Sequence, residues 1–190
     1  MKCMKLFVGL LFIAILFSGV IGMNNLHAEG IPASKMLIVY YSHTGNAKFV
    51  AQQIHAHTGA ALLELAPVTP YPEDAQETIA KARQEREDGI LIELANGVEN
   101  LDDYDVIFLG SPNWFSTLSL PVLTFLHTHD LSSKTIVPFI TFGGGGLANT
   151  IVDLKNHVPD ATILEEFSVG RDAVQNSQQA IIEWLERVGF

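Results

Sequence analysis

Six apolar residues in a row, Met36-Leu37-Ile38-Val39-Tyr40-Tyr41, stop abruptly at Ser42-His43-Thr44-Gly45-Asn46-Ala47, and a helix-like stretch from Lys48 to His57 follows at once. A short apolar run bounded by turn residues reads as a strand buried on both faces, and such strands belong to parallel sheets covered by helices. The turn brings two hydroxyls, a glycine and a series of backbone N–H groups to the start of a helix. The first amides of a helix lack intrahelical partners and the macrodipole favours negative charge there, so this turn is a candidate anion cradle. It holds no Lys or Arg. That suits a terminal phosphomonoester held by neutral donors better than a triphosphate, which needs a P-loop lysine. A plain corner rich in Ser, Thr and Gly is the alternative reading of the same residues.

The alternation continues along the chain. Ala60–Ala66 reads as a second strand closed by three prolines, and Glu73 to Asp88 as a polar helix with its acids suited to the N-terminal dipole. Ile90–Leu94 is weakly alternating and extended. Asp105–Gly110 is the third strand, and Leu120–His127 a helix led by Pro121. Lys134–Thr141 is the fourth strand, although Pro138 inside it ordinarily marks an edge or a bulge. Leu147–His157 reads as a helix, Ala161–Phe167 as the fifth strand and Ala173–Val188 as a final amphipathic helix. The expected fold is α/β, a doubly wound five-stranded parallel sheet with helices on both faces. Ligands of such sheets bind outside the carboxyl ends of the strands, near the point where strand order reverses. Residues 42–47, 111–116 and 141–147 each follow a strand and would gather at that edge.

These three segments carry a resemblance. Ser42-x-Thr44-Gly45-Asn46-Ala47 after a first strand resembles the phosphate-binding loop of flavodoxins, which hold flavin mononucleotide (FMN). Gly110-Ser111-Pro112-Asn113-Trp114-Phe115 and Thr141-Phe142-Gly143-Gly144-Gly145-Gly146-Leu147 resemble the flavin loops of the flavodoxin-like group with a Pro-x-Trp motif and a glycine cluster. The likeness runs from about Lys35 to Phe190. It implies a flavodoxin-like fold and FMN as cofactor. Ser42, Thr44, Gly45, Asn46 and Ala47 would hold the phosphate. Pro112, Asn113, Trp114 and Phe115 would border the isoalloxazine ring, Trp114 as a planar wall and Asn113 at its polar rim. Thr141, Phe142, Gly143, Gly144 and Gly145 would bring backbone N–H groups to the pyrimidine edge. Phe115 and Phe142 stand where the group often has a second Trp and a His.

The resemblance implies an electron-transfer flavoprotein, with the chemistry belonging to the cofactor and no catalytic acid–base residue. Its partner would be a redox protein or a small-molecule acceptor. Two other readings stand beside it: an FMN-dependent NAD(P)H:quinone-type oxidoreductase, and a flavin-free or flavin-scavenging binding module. A rival for the third loop is Gly143-x-Gly145-x-x-Ala148 with Glu165 about twenty residues on, the pattern of a dinucleotide fingerprint. It leaves the first loop unexplained. The pairs His55/His57 and His127/His129 are expected to be solvated rather than metal ligands, and His43 to face solvent.

Residues 1–28 form a separate unit. Lys2 and Lys5 precede an apolar stretch from Leu6 to Gly22 with no acid before Glu29, the pattern of a secretory signal peptide. An uncleaved membrane anchor is the alternative, and residues 29–35 would be a linker to a domain at 36–190. Either arrangement puts the domain outside the cytoplasm, secreted, periplasmic or membrane-anchored through the leader alone. The only cysteine is Cys3, so the domain would have neither a disulfide nor a thiolate site. The net charge of −10 disfavours nucleic acid and anionic lipid. With no Lys or Arg in the three loops, a reduced anionic flavin would gain little charge compensation. Arg171, after the fifth strand, is the cation placed to alter that balance.

Overall fold

The computed structural model of the chain describes residues 31–190. The leader expected at 1–28 lies outside the described residues. In chain order the elements are β1 (Met36–Tyr40), α1 (Asn46–Thr58), β2 (Ala61–Glu64), α2 (Ala75–Glu87), β3 (Val106–Trp114), β4 (Thr117–Leu118), α3 (Leu120–Thr128), β5 (Thr135–Phe142), α4 (Thr150–His157), β6 (Thr162–Ile163), β7 (Phe167–Gly170) and α5 (Gln178–Val188). No described helix is long and apolar enough to cross a membrane.

Every residue of β1 is buried, and the two-residue period of a strand divides them between two cores. Leu37, Val39 and Tyr41 join Ile107, Leu109, Ile136 and Ile140 beneath α3, α4 and Ala82 of α2. Met36, Ile38 and Tyr40 join Val106, Phe108, Val137 and Phe139 beneath α1 and α5. The α5 residues that seal this second face are Ile181, Trp184 and Leu185, one stripe at helical spacing. Fully burying a side chain such as Ile38 or Phe108 is worth about 1.5–3 kcal/mol, so the two layers together dominate the stability of the sheet. Strand order is β2-β1-β3-β5, with β6 and β7 both against the outer edge of β5, and all these pairings are parallel. The order reverses between β1 and β3.

Three expectations change. The fifth strand is not continuous: β6 and β7 are separated by residues 164–166, and β7 runs on to Gly170. The break explains Pro138. Lys134 and Ile136 offer their carbonyls to Thr162 and Leu164 on the outer side, so by alternation Pro138 faces the same side. Its missing N–H falls opposite the gap, where no ladder donor is called for. Second, β3 does not end at Gly110. It continues through Ser111, Pro112, Asn113 and Trp114 and folds back on β4, with Asn113 opposite Leu118 and Trp114 opposite Thr117. The turn between them places Phe115 and Ser116 at φ 53° and 70°, the signs a two-residue hairpin needs. Third, residues 147–149 are a turn and α4 starts only at Thr150; the final helix likewise starts at Gln178, after a 3-10 turn at Val174–Asn176. Ile90–Leu94, expected to be extended, contributes a single bridge, Leu94 to Pro67.

The β1–β3–β5 centre is tight at one point. A Cβ added to Gly110 would overlap the Phe139 ring and stand 2.7 Å from Tyr40 Cβ, whereas one added to Gly144 would meet nothing within 4 Å. Gly110→Ala is therefore expected to cost at least about 1–3 kcal/mol through overpacking, and Gly144→Ala to stay within about 0.5 kcal/mol. Urea unfolding of the two variants against the parent checks this; equal midpoints would refute the packing described.

Candidate functional site

The first loop is built by the way β1 feeds α1. Gly45 takes the left-handed conformation at the helix N-cap, φ 86°, where a side chain would be strained. The Phe49 N–H donates to the Gly45 carbonyl at 2.9 Å, and the Lys48 N–H to Ser42 Oγ at 3.1 Å. Ser42 thus caps the helix and keeps its own proton to donate. The amides of Asn46 and Ala47 find no acceptor among the described residues. The Lys48 ammonium turns away to Glu64 at 2.8 Å, so the cradle's own donors are neutral.

Thr44 and Asn46 open onto a cavity of about 200 Å³ whose other walls are Pro112, Asn113, Trp114, Thr141, Phe142, Gly143 and Arg171. All three expected loops therefore meet at the carboxyl ends of β1, β3 and β5. Their members play different parts. Ser42 and Gly45 shape the turn that carries the cradle, and Ala47, in the first turn of α1, is buried. Gly144 and Gly145 sit on the exposed tip of the glycine turn. Asn113 is already engaged: its side-chain amide donates to the Gly146 carbonyl, clasping the β3–β4 hairpin to the glycine turn. Its carbonyl oxygen and its second amide proton are left for a ligand. Phe115 lines a different cavity. Added Cβ atoms at Gly143, Gly144 and Gly145 would enter open space, so the turn leaves room for another molecule.

Arg171 is on the cleft although it belongs to none of the three loops. Its N–H donates to the Phe142 carbonyl at 2.8 Å, continuing the β5–β7 ladder, and this sets Arg171 in the lining of the cleft. Its contact with Asp172, at 3.6 Å, is long and exposed on both sides. The signal in the sequence was a lone Arg directly after the last strand.

Trp114 is held in a cluster of rings. It meets Tyr71 at 4.9 Å, Tyr41 at 5.6 Å and His43 at 6.1 Å between centroids, each close to perpendicular. Such edge-to-face pairs add about 0.5–1.5 kcal/mol each beyond burial. His43 accordingly does not face solvent. Its Nε2 lies 3.3 Å from Thr78 Oγ1 and its Nδ1 3.5 Å from the Tyr41 hydroxyl. Because Thr78 donates its proton to the Pro72 carbonyl, it can only accept from His43. In the neutral ring the proton then sits on Nε2, and Nδ1 accepts from Tyr41. Burial, reinforced by Glu64 and Glu85, drives the Tyr41 phenol far above its usual range; burial and the bond to Glu85 do the same to Tyr71. Both phenols stay protonated and add no charge to the wall that carries Trp114.

The dinucleotide reading of the glycine turn does not match this geometry. The turn is separated from α4 by residues 147–149, and Glu165 is held by Arg187 of α5 at 3.0 Å. No group of three His, Cys, Asp or Glu side chains suited to a metal occurs among the described residues.

A family model described as flavodoxin matches residues 35–188. No curated protein matches the chain. Among solved structures, a Bacteroides eggerthii protein assigned as a flavoprotein is 30% identical, covers 83% of this chain and 99% of its own, and superposes with a TM-score of 0.72. A second such protein, from Bacteroides uniformis, is 22% identical over 80% of this chain and 98% of its own, with a TM-score of 0.71. A Lactobacillus acidophilus flavoprotein solved in complex with FMN shares the fold at 20% identity, with a TM-score of 0.62 over 77% of this chain and 99% of its own. The family match spans both cores and all three loops of the cleft, and the chain belongs to the flavodoxin family.

Proposed function

We propose that this chain binds FMN in the cleft between Thr44, Trp114 and Gly143 and serves in electron transfer. The observation that carries the reading is the meeting of a neutral phosphate cradle, an aromatic wall and an open glycine turn in one cavity. The Thr44 and Ser42 hydroxyls and the unpartnered amides of Asn46 and Ala47 match the acceptors of a phosphomonoester. FMN bound there supplies one- or two-electron exchange at its ring system. Trp114, held rigid by Tyr41, His43 and Tyr71, orients the ring and covers one side of it. The amides of the glycine turn donate to its pyrimidine oxygens, and Arg171 adds a positive charge near the opening. The FMN complex of the Lactobacillus acidophilus relative supports the choice of ligand. The apolar leader supports a site of action outside the cytoplasm. A reductase acting on a small acceptor is the second reading, favoured by a further cavity on the other side of Trp114.

Thr44→Val removes one hydrogen bond to a charged group and is expected to weaken FMN by about 1.5–3 kcal/mol while leaving riboflavin, which has no phosphate, nearly unchanged. Calorimetric titration of both ligands decides it; equal weakening would sink the phosphate assignment. FMN should also quench tryptophan emission in the parent but not in Trp114→Ala. The other tryptophan, Trp184, is buried against the opposite face with its indole N–H on the Glu165 carbonyl. Quenching that persists in the variant would rule out ring contact with Trp114. Arg171→Gln should move the potential of the last reduction step of bound FMN to a more negative value, because a cation favours the more negative reduced form. Spectroelectrochemical titration that found no shift, or a positive one, would remove Arg171 from the site.

A further inference from the structure

Trp114 and Asn113 are walls shared by two cavities. On the side away from Thr44 and Gly143 lies a larger one, about 400 Å³, lined by Thr78, Ile79, Ala82 and Arg83 of α2 together with Asn113, Trp114 and Phe115. The four α2 residues fall at i, i+1, i+4 and i+5, a single face of the helix. Opposite them, the β3–β4 turn holds a phenylalanine at positive φ, where Asn or Gly is usual. The strained backbone presents the Phe115 ring, 38% exposed, to the cavity mouth. Ile79 is 42% exposed beside it. The Arg83 guanidinium lies over the Phe115 ring, 5.5 Å from its centroid, and forms no ion pair among the described residues. In a chain of net charge −10, this sets a cation without an ion pair beside a largely apolar slot.

We propose that this cavity binds a planar aromatic anion, its ring between Trp114, Phe115 and Ile79 and its carboxylate or sulfonate on Arg83. Two aromatic walls and an aliphatic floor suit a flat ring. The guanidinium forms charge-assisted hydrogen bonds to an anionic oxygen pair, and its stacking on Phe115 orients it for them. The site places that ring across Trp114 from the flavin cleft, which makes an aromatic electron acceptor such as a quinone bearing an anionic group the fitting class. The acceptor role rests on the FMN reading above; the binding itself does not.

The test titrates anthraquinone-2-sulfonate, and its neutral 2-hydroxymethyl analogue, into the full chain with and without saturating FMN, by calorimetry. One-to-one binding of the sulfonate is expected in both states. Arg83→Gln should weaken the sulfonate about tenfold or more and the neutral analogue less than about twofold. Ile79→Glu, which sets a like charge at the mouth of the slot, should also weaken the sulfonate. Circular dichroism identical to the parent would show both exposed-position variants folded. Stoichiometric displacement of the probe by FMN, parent-like binding in both variants, or no binding to the parent would each overturn the proposal. If FMN fails to bind while the sulfonate pattern holds, the cofactor reading falls and this site stands.

Discussion

The parallel pairing of β1 with β3, from Met36 opposite Val106 to Tyr40 opposite Gly110, is the constraint on which the cleft depends. It sets the height at which both strands leave the sheet. At that level the Tyr41 N–H still donates to the Gly110 carbonyl, at 3.1 Å. Beyond it β1 turns into its helix while β3 continues for four more residues. The phosphate cradle and Trp114 therefore stand side by side rather than one above the other. The absence of a side chain at Gly110 lets the Phe139 ring of the next strand close over the junction, so that three strands meet where two would otherwise be held apart. Alternation along β1 then assigns Tyr40 to one core and Tyr41 to the other. Tyr41 is thereby delivered to the ring cluster that supports Trp114.

Much of this was legible in the sequence. The unbroken apolar strands, the strand–helix alternation and the positions of the three ligand-bearing segments follow from local patterns, because the apolar runs are short, rich in β-branched and aromatic residues and bounded by turn residues. What was not legible depended on partners distant in sequence. Residues 111–114 look like a loop because Ser, Pro and Asn have low strand propensity; pairing with β5 and β4 overrides that preference. His43 looks like a solvated turn residue until α2, thirty-five positions on, supplies Thr78. Asn113 looks free until the glycine turn presents the Gly146 carbonyl. Pro138 looked misplaced and is accommodated only because the neighbouring strand is broken opposite it.

Charge within the cleft is distributed differently from charge on the protein as a whole. The surface is acidic, but the acids nearest the ring cluster are engaged: Glu64 with Lys48 and the Tyr40 hydroxyl, Glu85 with Lys81 and the Tyr71 hydroxyl. Arg171, whose one ion pair is the long exposed contact with Asp172, and Arg83, which has none among the described residues, line the two cavities that share Trp114. Each cavity therefore carries a basic group of its own on an acidic surface. An acidic exterior with two small basic openings also biases a diffusing anion toward those openings once it has come within a Debye length.

The broken outer strand has a consequence for the molecule among its own copies. An open parallel sheet ends in rows of unpaired backbone donors and acceptors, a template on which another chain can add a strand. Here that edge is two pieces of two and four residues, set apart by residues 164–166. At the other end of the sheet, β2 is only four residues long and its final glutamate is taken by Lys48. Neither border offers the long flat row of groups that cross-chain stacking requires. The interruption that accommodates a proline within the sheet thus also guards it against polymerisation from its rim.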